Sequence, residues 1–159
     1  MKSGIKLDEI DRKIIEILQG NGRITNSQLA TEVGLSPAPT LERVKKLETT
    51  GIIKSYHAEV DADKIGLGVQ TFVMVSLKGH NKTIIDKFMQ YIHAIDQVIE
   101  CHHLTGSSDF ILKIVAKDIP SYQSLMLEKI SNIDVVDNMH SMVILSTMKD
   151  SKVKPISIE

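Results

Sequence analysis

Residues 34–54, GLSPAPTLERVKKLETTGIIK, decide the fold of the first half of the chain. Ser36 suits an N-cap, and Pro37 suits the first helical position, where its fixed φ helps and its missing N–H costs nothing. Pro39 still lies in the first turn, so it removes no helical hydrogen bond. The helix is expected to run to about Thr50 and to stop at Gly51. Leu41, Val44 and Leu47 recur at helical spacing and are expected to form the buried stripe. Ser36, Pro39, Thr40, Arg43 and Lys46 then fall on the opposite side. Such a face, cationic and small, suits a DNA major groove, where cations meet phosphate or guanine and small side chains permit close approach.

Two earlier patterns lead into this helix. Asp8 can cap a helix with Ile10, Ile14, Ile17 and Leu18 inward, ending near Asn21-Gly22. Thr25 or Asn26 can cap a short helix with Leu29, Ala30 and Val33 inward. Val33-Gly34-Leu35 is then a tight turn into Ser36. Helix, short helix, glycine turn, capped helix is the layout of a helix-turn-helix. A plain three-helix bundle with a solvated cationic face has the same outline.

Composition narrows the function classes. The chain has 159 residues, 42% hydrophobic and 25% charged, enough for one ordinary domain or two small ones. No apolar run of about 18 residues occurs, so no membrane span is expected. The N-terminus MKSGIKLDEID has no apolar core of a secretory signal. One cysteine, Cys101, excludes an internal disulfide framework and fits a reducing cytoplasm. Net charge is −1, which does not suit a generic polyanion binder, but residues 36–54 set four cations against two acids. A local patch is what a sequence-reading module needs.

After Gly51 the period changes from 3.6 to 2. Residues 52–60, IIKSYHAEV, read as a strand, and 61–68, DADKIGLG, as a hinge. The expected division is therefore a helix-turn-helix domain over 1–60, a hinge over 61–68, a second domain over 69–148 and a tail over 149–159. Within the second domain, 69–78 read as a strand and 81–94 as a helix with Ile84, Ile85, Phe88, Met89 and Ile92 inward. Strands follow at 97–105 and 110–116, joined by Gly106-Ser107-Ser108. Asp118 can cap a helix carrying Tyr122, Leu125, Met126 and Ile130, and 135–148 read as a last, long strand. The order β-α-β-β-α-β predicts an α+β fold, a ferredoxin-like sandwich with four strands and both helices on one face. The first strand looks partly apolar on both faces. A large exposed apolar sheet face is unusual in a monomer, and it reads as a dimer interface formed sheet on sheet. The tail over 149–159 reads as a loose segment or an added edge strand.

The residues LDEIDRKIIEILQGNGRITNSQLATEVGLSPAPTLERVKKLETTGII (7–53) and VIECHHLTGSSDFILKIV (98–115) resemble the Lrp/AsnC, or leucine-responsive, transcription regulators. The resemblance spans about 7–148. It implies an N-terminal winged helix-turn-helix on double-stranded DNA and a C-terminal RAM domain of ferredoxin-like fold that binds a small-molecule effector. It also implies dimers that assemble as tetramers of dimers, an octamer, with an amino acid bound between dimers near the turn joining the second and third RAM strands. Here that turn is Thr105-Gly106-Ser107-Ser108-Asp109, with Leu104 before it. Family members often carry VxxTxTxxV in the last strand. Val135 takes the place of the first valine, and Asn138 and His140 stand where the threonines would be. The expected effector residues are thus Leu104, Thr105, Gly106, Ser107, Asp109, Asn138 and His140. Gly106 lets turn N–H groups approach a carboxylate, Asp109 suits an α-ammonium group, and Asn138 and His140 share one strand face. Gly106 serving only the hairpin and Asp109 pairing locally is the competing reading.

Other chemistry finds little support. On a strand His102 faces away from Cys101 and His103, so these cannot converge on one metal unaided. No nucleophile–base dyad, paired carboxylate or phosphate loop accompanies Asp109, so no enzyme and no cofactor is expected. Two alternatives stay open: a DNA-binding protein whose RAM domain only oligomerises, and a small-molecule sensor acting through protein contacts.

Overall fold

Side-chain caps start the first two of three helices in the computed structural model, which describes residues 6–156. The Asp8 carboxylate accepts from Asp11 N–H at 2.8 Å and starts α1, Glu9–Gly20. Thr25 and Gln28 form a reciprocal capping box at the start of α2, Asn26–Val33. Gly34, in the left-handed region at φ +74, closes α2 and turns the chain into α3, Pro37–Thr49. Ser36 takes the N-cap backbone conformation, but its side chain makes no capping bond. Pro39 at the third helical position has no N–H to give, which removes one of the two donors such a cap can use. Ile14, Ile15, Leu29, Val33 and Leu47 form the buried core of this unit.

Two expectations about α3 are corrected. Thr40 is fully buried, and Leu41 is 43% exposed. The Thr40 hydroxyl donates to Ser36 C=O at 2.9 Å, so its polar group is satisfied within the helix and its methyl packs inward. The buried stripe is therefore Thr40, Val44 and Leu47, and Leu41 turns outward.

Residues 52–60 form no strand. Ile52 and Ile53 donate to Leu47 C=O and pack on the helical core. Farther on, the Tyr56 ring lies against Gly22, and its hydroxyl donates to Glu48 at 3.0 Å. Desolvation, helped by that carboxylate, pushes the Tyr56 phenol up to about 12. An extended segment becomes a strand only beside another, and no described segment offers one here. The tail belongs to this same unit, which comprises described residues 6–59 and 149–156, while 60–148 form the second unit. The tail is neither loose nor a strand. The Gln19 side-chain amide donates to Lys154 C=O at 3.1 Å and accepts from Lys154 N–H at 2.6 Å. Ile156 adds to the core; residues 157–159 lie outside the described residues.

The second unit opens with a short 3₁₀ turn, Asp63–Ile65, and continues as β1 (Val69–Leu77), α4 (Lys82–His93), β2 (Val98–His103), β3 (Phe110–Ala116), α5 (Ile119–Leu125) and β4 (Val136–Val143). Asn81 caps α4 and Asp118 caps α5; a π-helical turn, Met126–Ile130, extends α5. The sheet order is β2-β3-β1-β4, all antiparallel. Val73, Val75 and Leu77 of β1 and Phe110, Leu112 and Ile114 of β3 point at the helices. They pack with Phe88, Ile92, Tyr122, Leu125 and Ile130. The last strand is shorter than the sequence suggests. β1 begins at Val69, Ile144 N–H still reaches Gln70 C=O, and beyond it β4 has no partner to pair with.

The Gln19–Lys154 pair gives a direct expectation. Gln19→Ala should release the tail, lowering protection of the Lys154 amide by about 1 kcal/mol in hydrogen exchange while the α1–α3 core amides keep theirs.

Candidate nucleic-acid interface and candidate effector site

The outward side of α3 is built by what its inward side holds. Arg43 leans towards α1, where one guanidinium nitrogen donates to Asp8 at 2.6 Å and to Asp11 at 2.7 Å. The Asp11 side chain is 2% exposed and Arg43 29%. A buried carboxylate must be paired, and Arg43 pairs it. The bonds hold Arg43 well above its ordinary pKa, Asp8 first and Asp11 second. The Asp8 carboxyl is lowered, chiefly by the Asp11 N–H and then by the Arg43 guanidinium. Arg43 is thus corrected from an outward cation to a bracket between α1 and α3. Of the expected DNA-facing residues, Ser36, Pro39 and Lys46 are exposed, and Thr40 and Arg43 are not. The same outward side carries Ala38, Leu41, Glu42 and Lys45, all exposed. A stripe phased on Leu41 leaves Lys45 off the outward side; the observed phase, with Thr40 buried, brings it outward.

The turn between β2 and β3 has an internal framework. Leu104 N–H donates to Asp109 C=O at 2.8 Å, and Gly106 sits at φ +141, where a side chain would be strained. β3 begins at Phe110, so Leu77 N–H on β1 has no strand carbonyl opposite. The Asp109 carboxylate replaces it, accepting at 2.7 Å, while its other oxygen lies 3.0 Å from His80 Nδ1. Asp109 therefore pairs locally, one carboxylate oxygen closing the end of the sheet and the other meeting His80.

Asn138 and His140 lie opposite Ser76 and Met74 of β1, on the helix-free face. Ser76 links the two groups: its hydroxyl is 3.5 Å from Ser107 C=O, and its strand neighbour is Asn138. The structure thus brings Ser107, Ser76 and Asn138 to one end of the sheet, with His140 two residues farther along β4. Ser76 had no signal in the sequence, since its place depends on β1 lying between β3 and β4. An open cavity of about 400 Å³ lies elsewhere, between α4 and β2, and none of the expected effector residues lines it. His103 stacks on Phe110 on the helix side while His102 pairs with Ile111 on the other, as strand alternation requires. Among the described residues no helix is long and apolar enough to cross a membrane.

Removing the Arg43 bracket should be felt as lost stability. Arg43→Ala leaves Asp11 buried without its cation and should cost about 1–3 kcal/mol in urea unfolding. The depressed Asp8 carboxyl stabilises the folded state above its unfolded pKa, and this is lost as pH falls through the lower folded value. Wild-type stability should therefore decline below about pH 4, and Asp8→Asn should flatten that decline.

A family model described as winged helix-turn-helix DNA-binding matches residues 7–54, and one described as Lrp/AsnC ligand binding domain matches 70–153. The chain is 37% identical over 153 residues to the transcriptional regulator AzlB of Bacillus subtilis, covering 96% of this chain and 98% of that protein. It is 37% identical over 147 residues to a leucine-responsive regulatory protein of Rhizobium meliloti, covering 92% and 94%. A Neisseria meningitidis transcriptional regulator, solved as a complex with L-Met, superposes with a TM-score of 0.90 at 33% identity, over 94% of this chain and 97% of that one. Escherichia coli AsnC superposes at 0.86 with 27% identity, over 95% and 100%. These relatives are regulators rather than enzymes, and a helix-turn-helix unit followed by a four-stranded α+β unit is their shared plan. The chain belongs to the Lrp/AsnC family of DNA-binding transcriptional regulators.

Proposed function

We propose that this regulator reads a specific DNA site with α3 and that a small zwitterion, an amino acid or a close relative, modulates it through the second unit. The observation that carries the DNA reading is the outward side of α3. Ser36, Ala38 and Pro39 leave room for a groove, Lys45 and Lys46 flank it, and the Asp8–Arg43–Asp11 bracket holds the helix in place. Lysines there neutralise phosphates and release counterions. Lys46→Ala should weaken binding to all sequences alike and reduce the slope of log affinity against log salt by about 1. An unchanged slope and affinity would remove α3 from the interface.

The effector reading rests on the end of the sheet where Ser107, Ser76 and Asn138 meet, with Leu104, Thr105, Gly106 and His140 beside it. The turn's N–H groups suit a carboxylate, and Asn138 and His140 suit a polar side chain. The Neisseria relative carries L-Met, which supports an amino acid as the class. One observation favours the second reading, in which the unit only assembles: Asp109 already spends both oxygens on Leu77 N–H and His80. Calorimetry against the amino acids separates the two. Heat that is lost in Asn138→Ala supports an effector; no heat with any of them supports assembly alone.

Assembly is proposed through the helix-free face. Phe72, Met74 and Ile111 are half-buried there, and Met142 is 40% exposed. Lys113, Glu100 and His102 form a charged border on the β2 side. Sheet-on-sheet pairing of two copies buries that apolar centre and presents two α3 helices to a two-fold symmetric site. Four such dimers closing into a ring is the octamer that the family resemblance implies. Met74→Glu should shift light scattering from dimer to monomer, whereas a wild type that is monomeric at micromolar concentration ends the proposal. A cytoplasmic protein is the fitting location for such a regulator.

A further inference from the structure

The leading end of α3 is apolar where a helix usually offers N–H donors. Pro37 and Pro39 remove the donors at the first and third positions, leaving Ala38 alone with a free N–H. The exposed surface there is made of two pyrrolidine rings, a methyl group and the Leu41 side chain. Pro37 and Ala38 lie four and three residues before Leu41, so the three form one continuous patch. Lys45 continues the same row four residues on. Leu41 is 43% exposed, and among the described residues it is the one exposed large apolar side chain of α1–α3. A single exposed leucine means nothing by itself. Here its position decides, because it borders the outward side that faces DNA in the function proposed above, in one row with Ala38 and Lys45, while Glu42 and Lys46 lie farther round.

An aliphatic side chain at a major-groove floor has one apolar partner, the 5-methyl group of thymine. Guanine, cytosine and adenine present only donors and acceptors there, which a leucine would desolvate without pairing. We infer that Leu41 is a specificity-determining residue that reads a thymine methyl in each half-site, with Ala38 and Pro37 completing the apolar contact. This rests on α3 being the groove-entering helix. It moves sequence reading from Arg43, whose Nη1 is held by Asp8 and Asp11 within the helical unit, to an apolar patch.

The test uses the full-length protein. DNA sites are selected from a randomised library by the wild type, and each thymine of the recovered site is replaced in turn by deoxyuridine, which removes only the methyl group. Affinities are measured at one salt concentration for wild type, Leu41→Ala and Leu41→Gln, all checked for helix content by circular dichroism. The expected result is one thymine per half-site whose demethylation weakens wild-type binding about fourfold, the value of one buried methyl-sized group. Leu41→Ala should bind the thymine and deoxyuridine sites equally, and Leu41→Gln should select a different base at that position. A wild type that selects no sequence overturns the groove-entering helix itself. A wild type that selects a sequence but ignores demethylation, or whose sensitivity survives Leu41→Ala, overturns the leucine assignment alone.

Discussion

A carboxylate cannot sit unpaired in a helical core, and Asp11 sits at 2% exposure between α1 and α3. Much of the N-terminal unit follows from that. Arg43 must turn inward to pair it, and a guanidinium spanning two helices resists sliding of either. Asp8 joins the same group while capping α1, so the start of one helix and the middle of another are fixed by three side chains. With Arg43 inward, the phase of α3 is set: Thr40, Val44 and Leu47 go inside, and Leu41, Glu42 and Lys45 come out. What α3 presents outward is therefore decided by what its inward side must hold.

Most of this fold could be read from the sequence because its signals are local. Asp8, Thr25 and Asp118 cap helices where expected, and the left-handed Gly34 and Gly51 end them. What escaped was non-local. Thr40 looked like a surface hydroxyl because nothing in a residue type says that its hydroxyl will bond Ser36 C=O. Arg43 looked free because its partners lie 35 and 32 residues earlier. Residues 52–60 had the period of a strand without a partner for one, and the tail's attachment to Gln19 lies 135 residues away. The β2–β3 end of the sheet divides in the same way: the turn and the shared face of Asn138 and His140 were legible, but Ser76 was not.

The sheet carries a second constraint. Four strands with both helices on one side leave a face where Phe72, Met74, Ile111 and Met142 meet water, next to Lys113 and Glu100, which pair at 3.4 Å. The charged border limits how two such faces can lie, since Glu100 is held lowered by His102 first and Lys113 after it. A copy laid on this face must leave that border wet or answer it with opposite charge, because a desolvated carboxylate costs more than an apolar contact returns. The apolar centre supplies attraction, and the border supplies register.

The proposed effector end and the proposed pairing face share strands, and this determines how a ligand could act. Asn138 and His140 stand on β4 opposite Ser76 and Met74, and Met74 belongs to the apolar centre of the open face. A ligand seated against Ser76 and Asn138 touches the same two strands that a second copy would cover. It can change DNA binding only by the difference between its affinities for two assembly states, and the coupling runs equally in both directions. Asp109 sharpens the point. Its carboxylate closes β1 at Leu77 through a 2.7 Å bond, so an ammonium group drawn to it would compete with His80 at the other oxygen before disturbing the sheet. Exchange of His80 for a ligand cation would leave the strand end intact and alter only what the turn presents outward. A site of that kind communicates through what packs on the turn, not through deformation of the sheet, which places its influence on the contacts between assembled copies.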